Sequence, residues 1–275
     1  MSSPTAELWR QMVEAEHAQS ERVREKGGAP SDSWVPYAER FRPSLDSTDP
    51  MVERLLREIE PHHSVLDVGA GGGRVALPVS LHCRSVVAVE PSESMGAVLR
   101  ESADQLGRDN ISLVASTWED AEVEPADVVM CVQVLYTVRD VEGFIRKLEA
   151  HAREQVLVVL GEYPPYTQSN PLWPLVHGEA RLELPSFRDL MRVLWEMGIN
   201  PDMEMLTAQE PRGYESRERA LEQTRSRLFV EAGGDGERRL SRALEELLEE
   251  CDDGRFRIRG APVFRPALVS WRPRA

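Results

Sequence analysis

The stretch Ser64–Arg74 constrains the fold of this chain of 275 residues more than any other part. It begins with the apolar residues Val65, Leu66 and Val68, a composition typical of a strand buried on both faces of a parallel sheet. Glycines follow, and an apolar helical pattern then starts at Val75. The order of strand, glycine turn and helix indicates a ligand site at the carboxyl end of a first strand. The glycines allow the backbone to turn sharply and to approach a ligand closely.

The glycine loop fits two ligand-binding patterns, which differ in their use of an acid. Read from Gly71, the residues Gly71, Gly73 and Ala76 fit the dinucleotide pattern G-x-G-x-x-[GA]. Read from Asp67, the same loop is D-x-G-x-G-x-G. A carboxylate repels a neighbouring pyrophosphate but attracts an ammonium group, so we prefer the pattern that starts at Asp67. In both patterns we expect a helix to begin near Gly72 and to present its free N–H groups to an anionic group.

Read from Asp67, the loop resembles motif I of the class I S-adenosylmethionine (SAM)-dependent methyltransferases, V-L-D-x-G-x-G-x-G. The resemblance covers residues 49–161. It implies an α/β, Rossmann-like, seven-stranded and mostly parallel sheet with helices on both faces and an antiparallel last strand. It also implies that the cofactor is SAM, with its methionine part over Gly69, Ala70 and Gly71 and its ammonium group near Asp67. S-adenosylhomocysteine (SAH) would be the product.

A second predicted strand, 85–90, ends in Glu90, about twenty residues after Gly69, as the ribose-binding acid of adenosyl sites does. A carboxylate at this place can accept hydrogen bonds from both ribose hydroxyls. Dinucleotide-binding enzymes use an acid here too, so Glu90 indicates an adenosyl ligand without choosing between the two patterns. Pro91 follows as a further candidate contact, and Ser92 suits the N-cap of the next helix.

The third predicted strand, 111–116, runs into a polar stretch. In the methyltransferases that the chain resembles, a short acidic stretch at this place contacts the adenine amine and ring edge. Thr117, Trp118 and Glu119 occupy it here, and which of them contacts adenine stays open. The alternative is a simple turn without a ligand.

The fourth predicted strand, 126–132, resembles the motif IV region of the family, which lies near the methionine end of the cofactor. It places Val132 and Gln133 at the cofactor and Tyr136 among the candidates for an acceptor pocket. The sequence lacks the [DNS]-P-P-[YFW] motif that follows this strand in enzymes that methylate amino groups of nucleic-acid bases. No such acceptor is therefore expected.

Two further residues are candidates for the acceptor pocket. His177 lies in a loop rich in proline and aromatic residues, 163–181, which leaves the sheet at its ligand end. It is a candidate general base, although a single histidine is more often a structural hydrogen-bonding residue. Tyr37 lies in an aromatic segment before the first strand, where the family often carries a helix that covers the cofactor. No catalytic residue is assigned, because displacement at an activated sulfonium needs mainly alignment and exclusion of water.

The remaining segments are expected to surround this core. We expect an N-terminal helical extension that serves as a lid (1–48) and a methyltransferase domain (49–275), divided into a cofactor half (49–161) and an acceptor-side half (162–275). A helical insertion at about 210–253 comes before the last strand. Further strands are expected at 155–161, 203–206 and 263–271, and helices near 72–82, 92–106 and 138–153.

Composition excludes several classes of protein. The formal net charge of −14 opposes a general nucleic-acid or anionic-membrane role. The three cysteines have no C-x-x-C spacing, so neither a disulfide framework nor a metal site is expected. The sequence has no apolar run of transmembrane length and no signal-peptide pattern, so we expect a soluble, cytoplasmic protein. Its oligomeric state stays open.

The sequence therefore predicts methyl transfer from SAM to an oxygen, nitrogen or carbon nucleophile of a small molecule. Two alternatives remain. An NAD-dependent oxidoreductase explains the glycines and Glu90 but gives Asp67 no role. A non-catalytic SAM-binding module keeps the cofactor site and lacks an acceptor pocket.

Overall fold

The computed structural model describes residues 2–24, 34–35, 38–43 and 49–274. Its main sheet has seven strands in the order β3-β2-β1-β4-β5-β9-β6. The strands are β1 Ser64–Val68, β2 Ser85–Val89, β3 Ile111–Val114, β4 Ala126–Val132, β5 Ala152–Gly161, β6 Asp202–Met205 and β9 Pro266–Trp271. The strands β1, β2, β3, β4 and β5 run parallel to one another. The strand β9 lies between β5 and β6 and runs antiparallel to both. The predicted α/β fold with an antiparallel last strand is confirmed.

Helices cover both faces of the sheet. They are α1 Pro4–Val23, α2 Pro50–Leu56, α3 Ala76–Ser80, α4 Glu93–Gln105, α5 Val141–His151, α6 Trp173–His177, α7 Phe187–Glu196, α8 Arg217–Arg227 and α9 Asp235–Leu247. No helix within the described part of the chain is both long and apolar enough to cross a membrane.

The two faces of the sheet carry separate cores because successive strand residues point to opposite sides. Leu66 and Val129 belong to the core that α1, α5 and α7 cover. Val65 and Val128 belong to the core under α2, α3 and α4. Burial on both faces explains why these strands are nearly continuous apolar runs.

The N-terminal helix α1 is an integral part of the first core. Trp9 is fully buried, and its indole N–H donates to the carbonyl of Val138 at 2.8 Å. The backbone N–H of Ser3 donates to Glu142 at 3.1 Å. These contacts fix α1 across α5, beside the segment that follows β4.

A third core lies outside the sheet, in the segment between β5 and β9. It joins α6, α8 and α9 with a two-stranded hairpin, β7 Leu248–Glu250 and β8 Phe256–Ile258. The helix α6 lies in a segment that was expected to be a loop. Within the predicted insertion at about 210–253, the spacing of Leu240, Leu244, Leu247, Leu248 and Cys251 predicts one amphipathic helix that reaches Cys251. That extension is wrong, because the chain becomes extended at Leu248 and pairs with β8. A short strand that continues the apolar spacing of a helix cannot be separated from it by periodicity.

The helix after the glycine loop starts later than predicted. We expected it near Gly72, whereas α3 begins at Ala76 and has five residues. Gly71 and Gly73 have positive φ angles of 55° and 90°, which a right-handed helix cannot contain. The loop therefore does not present a long helix N-terminus to a ligand.

Candidate cofactor and acceptor site

The carboxyl ends of the parallel strands meet at one edge of the sheet, and the glycine loop lies at its centre. Gly69 follows β1 with a φ of 76°, and its N–H donates to the carbonyl of Val89 at 2.8 Å. A side chain on Gly69 would collide with Val134. A Cβ on Gly71 would have no atom within 4 Å, so the loop is open on that side.

Glu90 joins the end of β2 to this loop. Its buried carboxylate accepts hydrogen bonds from the N–H groups of Gly71 and Ser92, each at 2.8 Å. These bonds hold both carboxylate oxygens at the strand ends. An ionised carboxylate has about four acceptor sites, so Glu90 can also receive the hydroxyls of a ribose.

Asp67 lies in β1 between β2 and β4, opposite Ala88 and Met130. It is buried, and within the described part of the chain its Oδ2 atom has no hydrogen-bond partner. Burial, and secondarily the charge of Glu90, raise the pKa of Asp67 to about 7. A buried acceptor without a donor costs free energy, and a cationic donor such as an ammonium group would satisfy it. The acid therefore fits the amino group of SAM.

A cavity of about 600 Å³ opens above these strand ends. Five of the predicted cofactor residues line it: Gly69, Pro91, Thr117, Trp118 and Glu119. The wall also includes residues of α1 and of the segment after β4, namely Val13, Glu16, His17, Val134, Thr137, Val138, Arg139 and Asp140. Such a volume lies within the usual range of small-molecule sites.

The turn 117–119 is held from beneath by Lys147. Its ammonium group donates to the carbonyls of Trp118 at 2.7 Å and Glu119 at 3.0 Å. The indole N–H of the buried Trp118 donates to the carbonyl of Phe144 at 3.3 Å. Trp118 thus presents its ring to the cavity with its polar atom already paired.

Gln133 follows β4 and has a backbone conformation that is often found at functional sites. Its φ is 63°, in the left-handed region that side chains rarely adopt. Its Oε1 accepts from the hydroxyl of Tyr136 at 2.5 Å, and its Nε2 is buried without a partner among the described residues. Val132, one residue earlier, packs against the core under α2 to α4.

Tyr136 joins the ends of β4 and β5. Its hydroxyl accepts from the N–H of Gly161 at 2.6 Å and donates to Gln133. Burial raises the pKa of Tyr136 well above its usual value. Tyr136 lines neither of these two cavities, and neither does its hydrogen-bond partner Gln133.

His177 lies in the third core, at the end of α6. Its ring packs at 4.4 Å from the ring of Trp173, and its Nε2 lies 2.9 Å from the carbonyl of Leu228. It lines neither cavity. Tyr37, the other candidate for the acceptor pocket, lies outside the described residues.

A second cavity of about 300 Å³ is formed mainly by the loop after β5. Its lining includes Tyr163, Pro164, Tyr166, Asn170, Arg181, Leu182 and Glu183, together with Glu16 from α1. Among the described residues that line the two cavities, Glu16 is the member common to both. The loop predicted to border an acceptor pocket thus does border a cavity.

The residues of α1 that line the cavities were not predicted, although a lid was expected within residues 1–48. Glu16 and His17 carry no motif, and their charges are typical of a solvated helix surface. The apolar residues at the start of α1 predict that the helix packs against the protein. They do not predict what its next turn faces, because that depends on the angle at which the helix crosses α5.

A group of possible metal ligands also appears at the opposite end of the sheet. Ligand atoms of Glu60, His62 and His63 lie within 4.8 Å of one another, although the sequence predicts no metal site. His63 already accepts the N–H of Glu60 through Nδ1 at 3.0 Å. These residues line neither cavity.

Comparisons with known proteins agree with this geometry. A family model described as a methyltransferase domain matches residues 39–202. The chain is 28% identical over 120 residues to a ubiquinone biosynthesis O-methyltransferase of Rickettsia akari, a match that covers 40% of this chain and 46% of that protein. The chain thus spans about half the length of this curated relative.

Two solved structures share the fold. The YcgJ protein of Bacillus subtilis has a TM-score of 0.56 and 18% identity, with 82% of this chain and 98% of that chain covered. A geranyl diphosphate methyltransferase has a TM-score of 0.50 and 14% identity, with 94% of this chain and 100% of that chain covered. The doubly wound sheet with its open glycine loop is thus that of the Rossmann-like transferases. Since the family model matches more than half of the chain, the protein belongs to the class I SAM-dependent methyltransferases.

Proposed function

We propose that this protein transfers a methyl group from SAM to a small-molecule nucleophile. The observation that carries the proposal is the pair of buried acids, Asp67 and Glu90, beside an open glycine loop under a cavity of about 600 Å³. Within the described part of the chain, Oδ2 of Asp67 has no hydrogen-bond partner and can accept from an ammonium group, and Glu90 is fixed where a ribose is expected. A dinucleotide would bring its pyrophosphate close to the carboxylate of Asp67, which disfavours the oxidoreductase alternative.

In this proposal the cofactor contacts are those expected from the sequence: Asp67, Gly69, Ala70, Gly71, Glu90, Pro91, Thr117, Trp118, Glu119, Val132 and Gln133. SAM would supply an activated methyl group on a sulfonium. The protein's part is to hold the reactants in line and to exclude water. The wall that α1 provides suits the second task, because Val13, Glu16 and His17 line the cavity.

We place the acceptor in the second cavity, where the two tyrosines and the prolines supply flat apolar walls. Residues 49–161 would then hold the cofactor, and residues 162–275 would hold the acceptor, with the N-terminal residues 1–48 covering both. The cavity of about 300 Å³ suits a small molecule. The strong negative charge of the chain opposes a nucleic-acid acceptor, and we propose a cytoplasmic location.

A turnover experiment tests this function. The protein is incubated with SAM and either a small-molecule extract freed of polymers or purified RNA, and SAH formation is followed by mass spectrometry. We expect SAH with the small-molecule extract and much less with the Glu90→Ala variant. Turnover with RNA alone would contradict the proposal.

A further inference from the structure

The acid Glu16 lines both cavities. Its Oε1 atom forms an ion pair with Arg181 and accepts a hydrogen bond from the hydroxyl of Ser20 at 3.3 Å. Its Oε2 atom has no hydrogen-bond partner within the described part of the chain. The carboxylate is therefore held by one oxygen and can offer the other to a donor in the cavities.

Arg181 fixes this carboxylate firmly. Its guanidinium donates to Gln19 at 3.2 Å and Ser20 at 2.8 Å, and it stacks on the ring of Trp173 at 3.9 Å. Burial lowers the pKa of Arg181 to about 10, so the group stays charged at neutral pH. The ion pair and these contacts therefore hold the carboxylate of Glu16 in place.

We propose that the methyl acceptor is an amine and that Glu16 binds its N–H group through Oε2. This inference rests on the proposed function. The bound amine first loses a proton to water and reacts as the neutral base. Its nitrogen lone pair then forms the bond to the methyl carbon while the bond from that carbon to sulfur breaks, with its electron pair left on sulfur. The nitrogen becomes a cationic N–H group, and its proton then passes to water. Glu16 balances this positive charge without having to accept the proton.

The same geometry disfavours a neutral hydroxyl as the acceptor. A hydroxyl must lose its proton during the transfer, and a carboxylate already paired with a guanidinium is poorly suited to remove it.

The charges around the site also favour an amine over a hydroxyl as the acceptor. The described walls of the two cavities carry four carboxylates and two guanidinium groups, an excess that attracts cations. Those groups are Glu16, Glu119, Asp140, Glu183, Arg139 and Arg181.

Matched probes test the inference by binding alone. Benzylamine, benzyl alcohol and benzoate share one ring and differ in their polar group. Their binding to the protein saturated with SAH is measured by ligand-observed NMR. We expect benzylamine to bind best, and Glu16→Gln to weaken it about tenfold or more, the effect of losing one charge-assisted hydrogen bond. Glu14→Gln, on the exposed side of the same helix, is expected to leave the binding unchanged.

A double variant separates a binding role from a structural one. If Glu16 only neutralises Arg181, then Glu16→Gln with Arg181→Gln restores amine binding. If Glu16 holds the amine, the double variant stays weak. Restored binding, equal binding of the three probes or no binding of benzylamine would overturn the inference. Failure of the proposed function would appear separately, as absence of SAH binding in calorimetry.

Discussion

The two acids at the carboxyl ends of β1 and β2 are in different states. Glu90 has both oxygens engaged by backbone N–H groups, whereas Asp67 is buried and one of its oxygens has no hydrogen-bond partner among the residues that the structure describes. Burial without a donor raises the pKa of Asp67 to about 7. The buried carboxylate of Asp67 costs free energy in the protein without a ligand, and pairing with a bound cation removes this cost.

The raised pKa of Asp67 predicts that SAH binding depends on pH. Below about pH 7 the acid is protonated in the free protein, and an ammonium group must expel that proton to pair with it. Affinity is therefore expected to rise as pH increases towards 7, by at most roughly tenfold per pH unit, and to level off above it. Calorimetry at a series of pH values measures this.

Asp67→Asn provides the control, since it cannot ionise. We expect this variant to bind SAH weakly with a nearly flat pH profile over the same range. If the affinity of the unsubstituted protein for SAH does not change between about pH 5 and 8, Asp67 does not pair with the ammonium group.

Glu90 is expected to carry much of the binding free energy of the ribose. Glu90→Ala should weaken SAH binding by about 1.5–3 kcal/mol, the scale of lost hydrogen bonds to a charged group. Glu93→Ala, an exposed position in the first turn of α4, should leave the affinity unchanged. Unchanged affinity in Glu90→Ala would exclude this acid from the site.

At the scale of elements, the glycine loop predicts a contrast between two similar substitutions. Gly71→Ala places a methyl group in open space and should cost about 1–2 kcal/mol of unfolding free energy, because the backbone is left-handed there. Gly69→Ala also forces Val134 to move, so we expect a cost of about 2–5 kcal/mol. Urea unfolding of the two variants measures the difference, and equal losses would contradict the packing of Val134 on Gly69.

The elements also show what the sequence could predict. Buried parallel strands are apolar runs with clear ends, so β1, β2 and β4 and the acids at their ends could be located from the residues alone. The start of α3 could not be located, because the positive φ angles of the glycine loop override the apolar spacing. The hairpin of β7 and β8 could not be located either, because strand pairing overrides that spacing. A capping box, in contrast, depends on local spacing alone, and Ser186 and Asp189 form one at the start of α7.

The sequence does not predict which residues of distant segments reach the site. Glu16 reaches the cavities through the packing of Trp9 and the contacts with Arg181, which lies far away in the chain. His177 stands out in the sequence as a single histidine in an aromatic loop, yet its nitrogen meets the carbonyl of Leu228. Residue type and spacing in the sequence do not predict these long-range contacts.

For the whole molecule, the position of α1 links cofactor binding to acceptor binding. The helix is joined to the sheet layer through Trp9 and to the loop after β5 through Gln19, whose side chain donates to the carbonyl of Ala180 at 2.8 Å. A ligand that fills the first cavity contacts α1 and should restrict its local opening.

Hydrogen exchange measures this link. SAH is expected to slow exchange in the second half of α1, while α8, which belongs to the third core, exchanges as before. Unchanged exchange in α1 at saturating SAH would show that the helix does not close the cofactor cavity.

The central claim is that the acids and the glycine loop bind SAM. Parallel calorimetric titrations with SAM, SAH and NADH test it most directly. We predict micromolar or tighter binding of SAM and SAH, about −8 kcal/mol, and no heat with NADH. Tight binding of NADH without binding of SAM would contradict the account.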